Sequence, residues 1–289
     1  MKPILYLVLL LISSSCSDND INIKVDMPTH NPKVVVDGIY KADETIKIYV
    51  GESSGVFDNI KPPIEDATVK LYKNKILLET LTYNSANDYY VSENIAEIDT
   101  EYSIIVSTPD FDAVTAVSHT PKPPILASWE YGGYEYSSDE WNTHFLRIDI
   151  QDDININNYY EVKTVVSDIE GIDWFLGGEM NVGNEQEPVF NNEVSPQNIF
   201  SDVLFNGTTY GLDCKFNIPI EVTSFNLSVK LRSVTKDYYD YHKKLYQHLE
   251  AADEGNLFYI EPVQLFTNIQ EGYGVFTGYS EIEQVVIDN

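Results

Sequence analysis

Short runs of β-branched and aromatic residues recur along almost the whole chain, and glycine, proline, asparagine and aspartate separate them. Residues 34–40 read VVVDGIY and residues 67–72 read ATVKLY, a composition that favours strands over helices. About seven such runs fall between residues 33 and 120, which is typical of an immunoglobulin-like sandwich. The cysteine pair of antibody domains is missing, so we expect a generic all-β sandwich there.

A proline-rich stretch, TPKPP at residues 120–124, interrupts the strand pattern. Prolines this dense cannot pair within a central strand, and they favour a stiff, extended connector. We therefore predict an N-terminal immunoglobulin-like β domain over residues 33–119, a linker over residues 120–125 and a larger β-sandwich-like domain over residues 126–289.

The second domain is predicted to contain one helix among its strands. Residues 225–234 alternate apolar and polar side chains, as a half-buried strand does. Thr235 then offers a hydroxyl N-cap, and apolar residues from Tyr238 to Leu249 recur at helical spacing. The pattern predicts a helix over about residues 236–251, packed on an otherwise all-β domain.

The start of the chain has the character of a secretory signal. Lys2 is the only charge before Cys16, and a short apolar run and three serines lie between them. The apolar run is too short to span a membrane. The segment ISSSC that ends at Cys16 resembles a bacterial lipobox. We therefore predict a lipoprotein signal peptide over residues 1–15, acylation of Cys16, and a tether over residues 16–32.

An acidic stretch, SDND at residues 17–20, directly follows Cys16. It is similar to the signal that sends lipoproteins of Bacteroidetes-type bacteria to the outer face of the outer membrane. We therefore expect a lipid-anchored outer-membrane protein exposed at the cell surface. The alternative is a cleaved secretory junction with a solvated start, and whether the anchor faces the periplasm or the exterior stays open.

The formal net charge of the chain is −28 at pH 7. A field of this sign repels phosphate backbones, so we expect no nucleic-acid partner. Once Cys16 is acylated, Cys214 is the remaining cysteine and no intramolecular disulfide can form. Cys214 lies in a strand-like run, and we expect it to be a small buried apolar side chain.

Several short motifs occur in order from the first strand to the C-terminus. They are VVVDG at residues 34–38, PIEDATV at 63–69, NYY at 158–160, DVLFNG at 202–207, LRS at 231–233, YYDY at 238–241, PV at 262–263, NI at 268–269 and GYGVF at 272–276. Together with the lipobox-like start, they resemble the Bacteroidetes outer-membrane lipoprotein family catalogued as domain of unknown function 4249. Members are often found beside TonB-dependent outer-membrane transporters, so the resemblance implies an accessory surface lipoprotein with such a transporter as its partner.

Tyrosine is the one unusual enrichment, with 21 residues. Aromatic rings in exposed loops bind sugars, peptides or proteins well, because they offer area at a low entropy cost. The alternative is ordinary tyrosine with the ring half buried. A second region of this kind, with Trp174, covers residues 171–192. The candidate ligand-binding residues are Trp129, Tyr131, Tyr134, Tyr136 and Trp141.

Residues 153–157 (DININ) copy the opening of a calcium-binding loop. Asn158 stands where the loop needs glycine, and Thr164 stands where it needs a bidentate glutamate, so this is not an EF-hand. The alternative is a polar turn between two strands. No other cofactor is expected. The candidate ligands for a structural calcium ion in another geometry are Asp149, Asp152 and Asp153.

Residues 51–55 (GESSG) match the G-x-S-x-G motif of a nucleophile elbow, which must lead from a strand into a helix. The proline-containing residues that follow cannot form that helix, and the histidines lack zinc-site spacing. We therefore expect a non-enzymatic, ligand-binding or accessory protein. A structural or adhesive role at the cell surface is the alternative, and neither the ligand nor the oligomeric state follows from the sequence.

Overall fold

The computed structural model describes residues 30–55, 58–59, 61–171, 173–190, 198–253 and 264–288. The predicted signal peptide, Cys16 and the tether up to residue 29 lie outside the described residues. The fold class is the predicted one, because stacked β-sheets make up most of the described chain and a single α-helix accompanies them. No helix in these ranges is long and apolar enough to cross a membrane.

Eight strands in the first half of the chain form two facing sheets around one core. Strands β1, β2, β6 and β5 pair in one sheet, and β4, β3, β7 and β8 pair in the other. Apolar side chains from both sheets meet in a single buried cluster. The strands are β1 (Val34–Lys41), β2 (Thr45–Glu52), β3 (Thr68–Lys73), β4 (Ile76–Thr80), β5 (Thr82–Asn84), β6 (Tyr89–Ile95), β7 (Thr100–Ser107) and β8 (Val114–Thr120).

The second half forms a second sandwich with its own core. Strands β14, β10 and β9 form a three-stranded sheet, and it packs against the strands β12, β11, β15 and β16. These elements are β9 (Ile125–Tyr136), β10 (Trp141–Gln151), β11 (Tyr159–Glu170), β12 (Gly178–Asn181), β13 (Ile199–Ser201), a 3-10 turn (Asp202–Leu204), β14 (Thr209–Pro219), β15 (Ser224–Val234), helix α1 (Lys236–Asp253) and β16 (Tyr273–Ile287).

The C-terminal strand β16 belongs to both sandwiches. Its first part runs parallel to β1, from the pair Val35–Tyr273 to the pair Lys41–Tyr279. Its second part runs antiparallel to β15, from the pair Val234–Tyr279 onward. One sheet therefore runs through both cores, and residues from Pro32 to Asn289 group as a single compact unit. The proline-rich linker separates the two cores, but residues 126–289 do not form their β-structure alone.

Helix α1 begins where the sequence predicts. The Thr235 hydroxyl accepts a hydrogen bond from the backbone N–H of Tyr238 at 3.1 Å, which satisfies one of the free donors of the first turn. The helix covers Lys236–Asp253, close to the predicted range of about 236–251. Tyr238 and Tyr239 pack against apolar side chains of the shared sheet and of β13.

The segment that precedes β16 has no regular pairing of its own. Residues 264–269 carry no strand. Here the side chain of Asn268 takes the place of a backbone partner, because its amide accepts from Phe276 N–H at 2.9 Å and donates to Phe276 C=O at 2.8 Å.

Candidate functional site

The five aromatic residues proposed for ligand binding lie on the β9–β10 hairpin. Four of them belong to strand β9 and Trp141 opens β10, so the rings stand on paired strands rather than on the loop that the sequence predicted. Tyr134 is 62% exposed and Tyr136 is 65% exposed, whereas Tyr131 is half buried. Trp129 is 39% exposed.

An extra residue in β9 determines which of its side chains face inward. Tyr134 lies opposite His144. Tyr131 lies opposite Leu146, so three steps along β9 match two steps along β10. Gly133 lies in this bulge with φ of 81°, a conformation that glycine adopts without strain. Residues three apart in a regular strand face opposite sides, so the bulge places both tyrosines on the same side.

His144 organises the aromatic side chains around it. Its imidazole is buried, its Nδ1 lies 2.8 Å from the Tyr131 hydroxyl, and the Tyr134 ring centroid lies 5.2 Å away. Phe216 and Phe225 contact the same imidazole with centroids at 5.4 Å. Burial lowers the pKa of His144 to about 4, so the imidazole is neutral at neutral pH. The hairpin is therefore anchored by a buried, uncharged ring stack.

The tip of the hairpin joins the second aromatic region noted in the sequence. The rings of Trp141 and Trp174 meet edge to face, with centroids 6.2 Å apart. Trp174 is 64% exposed and Leu176 is 87% exposed. We call Tyr134, Tyr136, Trp141, Trp174 and Leu176 the aromatic end of the second sandwich. The sequence identified both regions, but it gave no sign that the two tryptophans touch.

A sizeable cavity lies away from these aromatic residues. A cleft of about 850 Å³ lies beside the linker, and we call it the junction cleft. Its volume falls within the range of small-molecule sites. Lys122 and His119 line it but both pair with Asp99, at 3.4 Å and 3.3 Å. Its other lining residues include Pro121, Pro124, Ile154, Ile156, Tyr159 and Lys236.

The three aspartates proposed as calcium ligands accept hydrogen bonds from different neighbouring groups and form no common site. Asp152 accepts hydrogen bonds from the Tyr160 hydroxyl and from Gly207 N–H, both at 2.7 Å. Asp153 accepts from the backbone and side chain of Asn155. Asp149 accepts from the Ser128 hydroxyl on the neighbouring strand. In the described ranges, no three acidic, histidine or cysteine side chains form a group that could hold a metal ion.

Two other candidate groups have ordinary structural surroundings. The Ser53 hydroxyl of the G-x-S-x-G segment accepts a hydrogen bond from Lys33 N–H at 3.0 Å, and residues 53–55 after β2 are irregular rather than helical. Cys214 is buried in the second core, and burial raises the pKa of its thiol. Cys214 therefore behaves as a small apolar side chain, as the sequence predicts.

Sequence analysis missed a buried ion network on the shared sheet. Arg232 Nη1 donates to Glu161 at 2.7 Å, and its Nε donates to Glu281 at 2.6 Å. Its Nη2 donates to both carboxylate oxygens of Glu179, at 3.1 and 3.2 Å. The guanidinium also lies 5.0 Å from the centroid of the Tyr279 ring. One arginine thus links β11, β12, β15 and β16.

Helix α1 covers this network and contributes a hydrogen bond to it. The Tyr238 hydroxyl donates to Glu161 at 2.8 Å, and the Asn198 side chain donates to the other Glu161 oxygen at 3.1 Å. The His242 ring contacts the Tyr238 ring in a tilted arrangement, with centroids 4.2 Å apart. Burial lowers the pKa of His242, so this imidazole adds no positive charge near neutral pH. Glu161 is therefore buried with every acceptor oxygen in use.

Two carboxylates of the network, Glu179 and Glu281, have a lowered pKa and are ionised at neutral pH. Partial burial alone would raise the pKa of Glu179, but the hydrogen bond from Lys230 and the charge of Arg232 hold it at about 2. Burial acts on Glu281 in the same way, and hydrogen bonds from Arg232 and Lys41 hold its pKa below the usual range. These charged groups pair with one another, as expected for a network with a structural role. Arg232 falls on the polar side of an alternating strand, so periodicity predicts solvent there, whereas the helix covers it.

A family model described as "Domain of unknown function (DUF4249)" matches residues 20–284. That range includes both sandwiches, the linker, the helix and most of β16. Among curated proteins, none matches this chain.

Proposed function

The chain belongs to the family described as domain of unknown function 4249, and from that premise we propose that it is a lipid-anchored accessory protein of the outer membrane. In this proposal Cys16 carries the acyl chains, the body is exposed at the cell surface, and it binds a partner without catalysis. The partner is a TonB-dependent outer-membrane transporter. The lipobox-like start and the acidic residues 17–20 support the location.

The aromatic end is the observation that carries the binding role. Large apolar side chains that stay exposed together on a soluble surface mark an interaction site, and Trp and Tyr dominate such sites. Tyr136 lies on the hairpin that the His144 stack holds in place, and Trp174 lies between β11 and β12. Each is about two-thirds exposed. A rigid aromatic surface loses little conformational entropy when a partner covers it.

The exposure of these rings favours a large partner over a small ligand. A pocket for a small molecule buries most of its aromatic lining. Tyr134, Tyr136 and Trp174 are all more than half exposed. The same observation supports the second candidate function, a structural or adhesive role, in which this surface contacts another cell-surface polymer instead of a transporter.

Affinity purification from detergent-solubilised membranes tests the proposal. The full chain should copurify a TonB-dependent transporter, and Cys16→Ala should leave the membrane fraction. The double variant Trp174→Ala, Leu176→Ser should lose the transporter, because truncation of a central aromatic contact costs about 2 kcal/mol or more. Ile76→Ser, Leu77→Ser removes exposed apolar side chains from β4 and serves as the matched control.

Each outcome has a distinct meaning. A transporter that is absent from the eluate of the unaltered chain refutes the accessory role. A transporter that is retained by the tryptophan variant refutes the aromatic end as its contact surface. Cys16→Ala protein that stays with the membranes as firmly as the unaltered chain refutes the lipid anchor.

A further inference from the structure

Strand β9 is a long, uncovered edge of the second sandwich. It is the last strand of the sheet β14–β10–β9, and β10 is the one strand that pairs with it in the described part of the chain. The opposite edge of that sheet is covered, because Gly183 bridges to Lys215 and Asn184 donates to Asp213 C=O at 3.0 Å. An unpaired edge strand offers a row of backbone donors and acceptors to another chain.

The hydrogen-bond alternation identifies the free groups of β9. Ser137 N–H donates to Trp141 C=O at 3.1 Å and closes the hairpin. In an antiparallel ladder every second residue turns its N–H and C=O away from the partner strand. The backbone groups of Tyr136 and Tyr134 therefore point to the free edge, whereas those of Glu135 bond to β10. The bulges in β9 divide its regular pairing into residues 125–126, 128–131 and 133–136.

The facing sheet is open on the same flank. Pairing of β1 with β16 ends at Tyr279, so beyond that residue β16 pairs with β15 alone among the described strands. Ile282 and Val286 of β16 are only half buried at the margin of the second core, like Tyr131 of β9. The margins of both sheets thus expose apolar side chains that an added strand would cover.

The charge of this flank indicates what would bind. Glu130 and Glu135 are exposed on the outer side of β9, and Asp139 and Glu140 follow in the turn. A strand added to β9 would place its outward side chains about 5 Å from these carboxylates. Lysine or arginine suits those positions, while apolar side chains suit the inward positions beside the tyrosines. A second copy of the chain, with a net charge of −28, suits them poorly.

We propose that β9 captures an extended, basic segment of a partner protein by strand addition. Backbone hydrogen bonds at Tyr134 and Tyr136 supply affinity, and the alternation of apolar and basic side chains supplies specificity. This inference rests on the proposed function, because it specifies how the aromatic hairpin would engage a partner. It can fail while the accessory role stands, since it concerns the mode of contact alone.

A designed peptide tests strand addition without knowledge of the partner. The probe is a twelve-residue peptide that alternates valine or tyrosine with lysine. It is compared with a version that has glutamate for lysine and with a version N-methylated at alternate residues. The lysine peptide should bind, and amide hydrogen exchange should slow at Tyr134 and Tyr136. The glutamate and N-methylated peptides should bind at least tenfold more weakly, a difference of about 1.4 kcal/mol.

A matched pair of variants isolates the backbone contact. Tyr136→Ala and Tyr136→Pro both remove the ring, but only proline removes the N–H that faces the free edge. Tyr136→Pro should bind the lysine peptide at least tenfold more weakly than Tyr136→Ala, about 1.4 kcal/mol. Equal binding of the lysine peptide by the two variants overturns strand addition. On the unaltered chain, an N-methylated peptide that binds as tightly as the lysine peptide also overturns it. Binding by none of the peptides also overturns it, whatever copurifies from membranes.

Discussion

Removal of Arg232 should destabilise the fold more than removal of any surface cation. Arg232→Met keeps the length and apolar stem of the side chain but deletes four hydrogen bonds to three carboxylates. Glu161 and Glu281 are about 95% buried, so they cannot recover those bonds from water. Breaking a buried ion pair by removing one partner costs about 3–5 kcal/mol.

The structure assigns most of this loss to Glu161. Glu281 keeps Lys41 at 3.0 Å, and Glu179 keeps Lys230 at 2.8 Å. Glu161 keeps only a distant cation, Lys163 at 3.7 Å. We therefore expect a loss of about 3–5 kcal/mol in the free energy of unfolding, which for a chain of this size lowers Tm by about 6–20 °C.

Chemical denaturation of three variants checks this reasoning. Arg147→Met is the matched control, because Arg147 is half exposed and pairs with Asp213 at 2.8 Å, and its loss should cost about 1 kcal/mol or less. Arg232→Met combined with Glu161→Gln should regain part of the stability, since it removes the stranded buried charge. If Arg232→Met lowers the free energy of unfolding no more than Arg147→Met does, the stabilising role of the buried network is refuted. Failure of the second substitution to restore any stability would refute the role of Glu161.

Three further changes have defined outcomes. Gly274 has φ of 99° and a Cβ there would lie 1.9 Å from the Val36 carbonyl oxygen, so Gly274→Ala should lower the free energy of unfolding by about 2 kcal/mol or more in chemical denaturation. Gly133→Ala, at a positive φ but in open space, should lower it by about 1 kcal/mol. The pKa of His144 is about 4 in the folded state, below its unfolded value, so its contribution is fully present above about pH 6.5 and is lost as pH falls towards 4. His144→Phe should therefore flatten the stability profile between those pH values, and an unchanged slope would contradict this. Cys214 should react with a thiol reagent only as fast as the protein unfolds, and rapid labelling of the native chain would contradict its burial.

The sequence predicted those parts of the fold that depend on local pattern. Strand β1 follows from its β-branched composition and β15 from alternation, and the start of α1 follows from the Thr235 cap. Proline excludes regular pairing, and residues 121–124 carry no strand between β8 and β9. These signals are carried by neighbouring residues, so a single sequence suffices to detect them.

Non-local pairing could not be predicted in the same way. Nothing near Tyr273 indicates that the last strand pairs in parallel with the first, because such pairing depends on residues more than two hundred positions apart. The burial of Arg232 could not be predicted either, because it too depends on residues distant in the sequence. Its strand reads as half exposed, and only the docking of α1 through Tyr238 makes the polar face a buried one.

The candidate site was predicted in composition but not in geometry. The aromatic residues were recognisable, yet their grouping depends on the bulge at Gly133 and on the approach of Trp174 to Trp141. The aspartates have a calcium-like spacing in the sequence, but the oxygens of Asp152 accept hydrogen bonds from Tyr160 and Gly207. Spacing identifies possible ligands, but the hydrogen bonds available nearby decide whether their oxygens remain free.

The ion network and the free edge lie on different sheets, and this separation has a consequence. A strand that adds to β9 meets an edge already ordered by β10 and the His144 stack, so the entropy of ordering falls mainly on the incoming segment. Arg232 acts on the facing sheet and on α1. Arg232→Met should therefore lower the unfolding free energy while leaving the affinity for the lysine peptide unchanged at temperatures where the variant is folded. A parallel loss of affinity in that variant would mean that the network also fixes the position of β9, and that the two sheets respond as one unit.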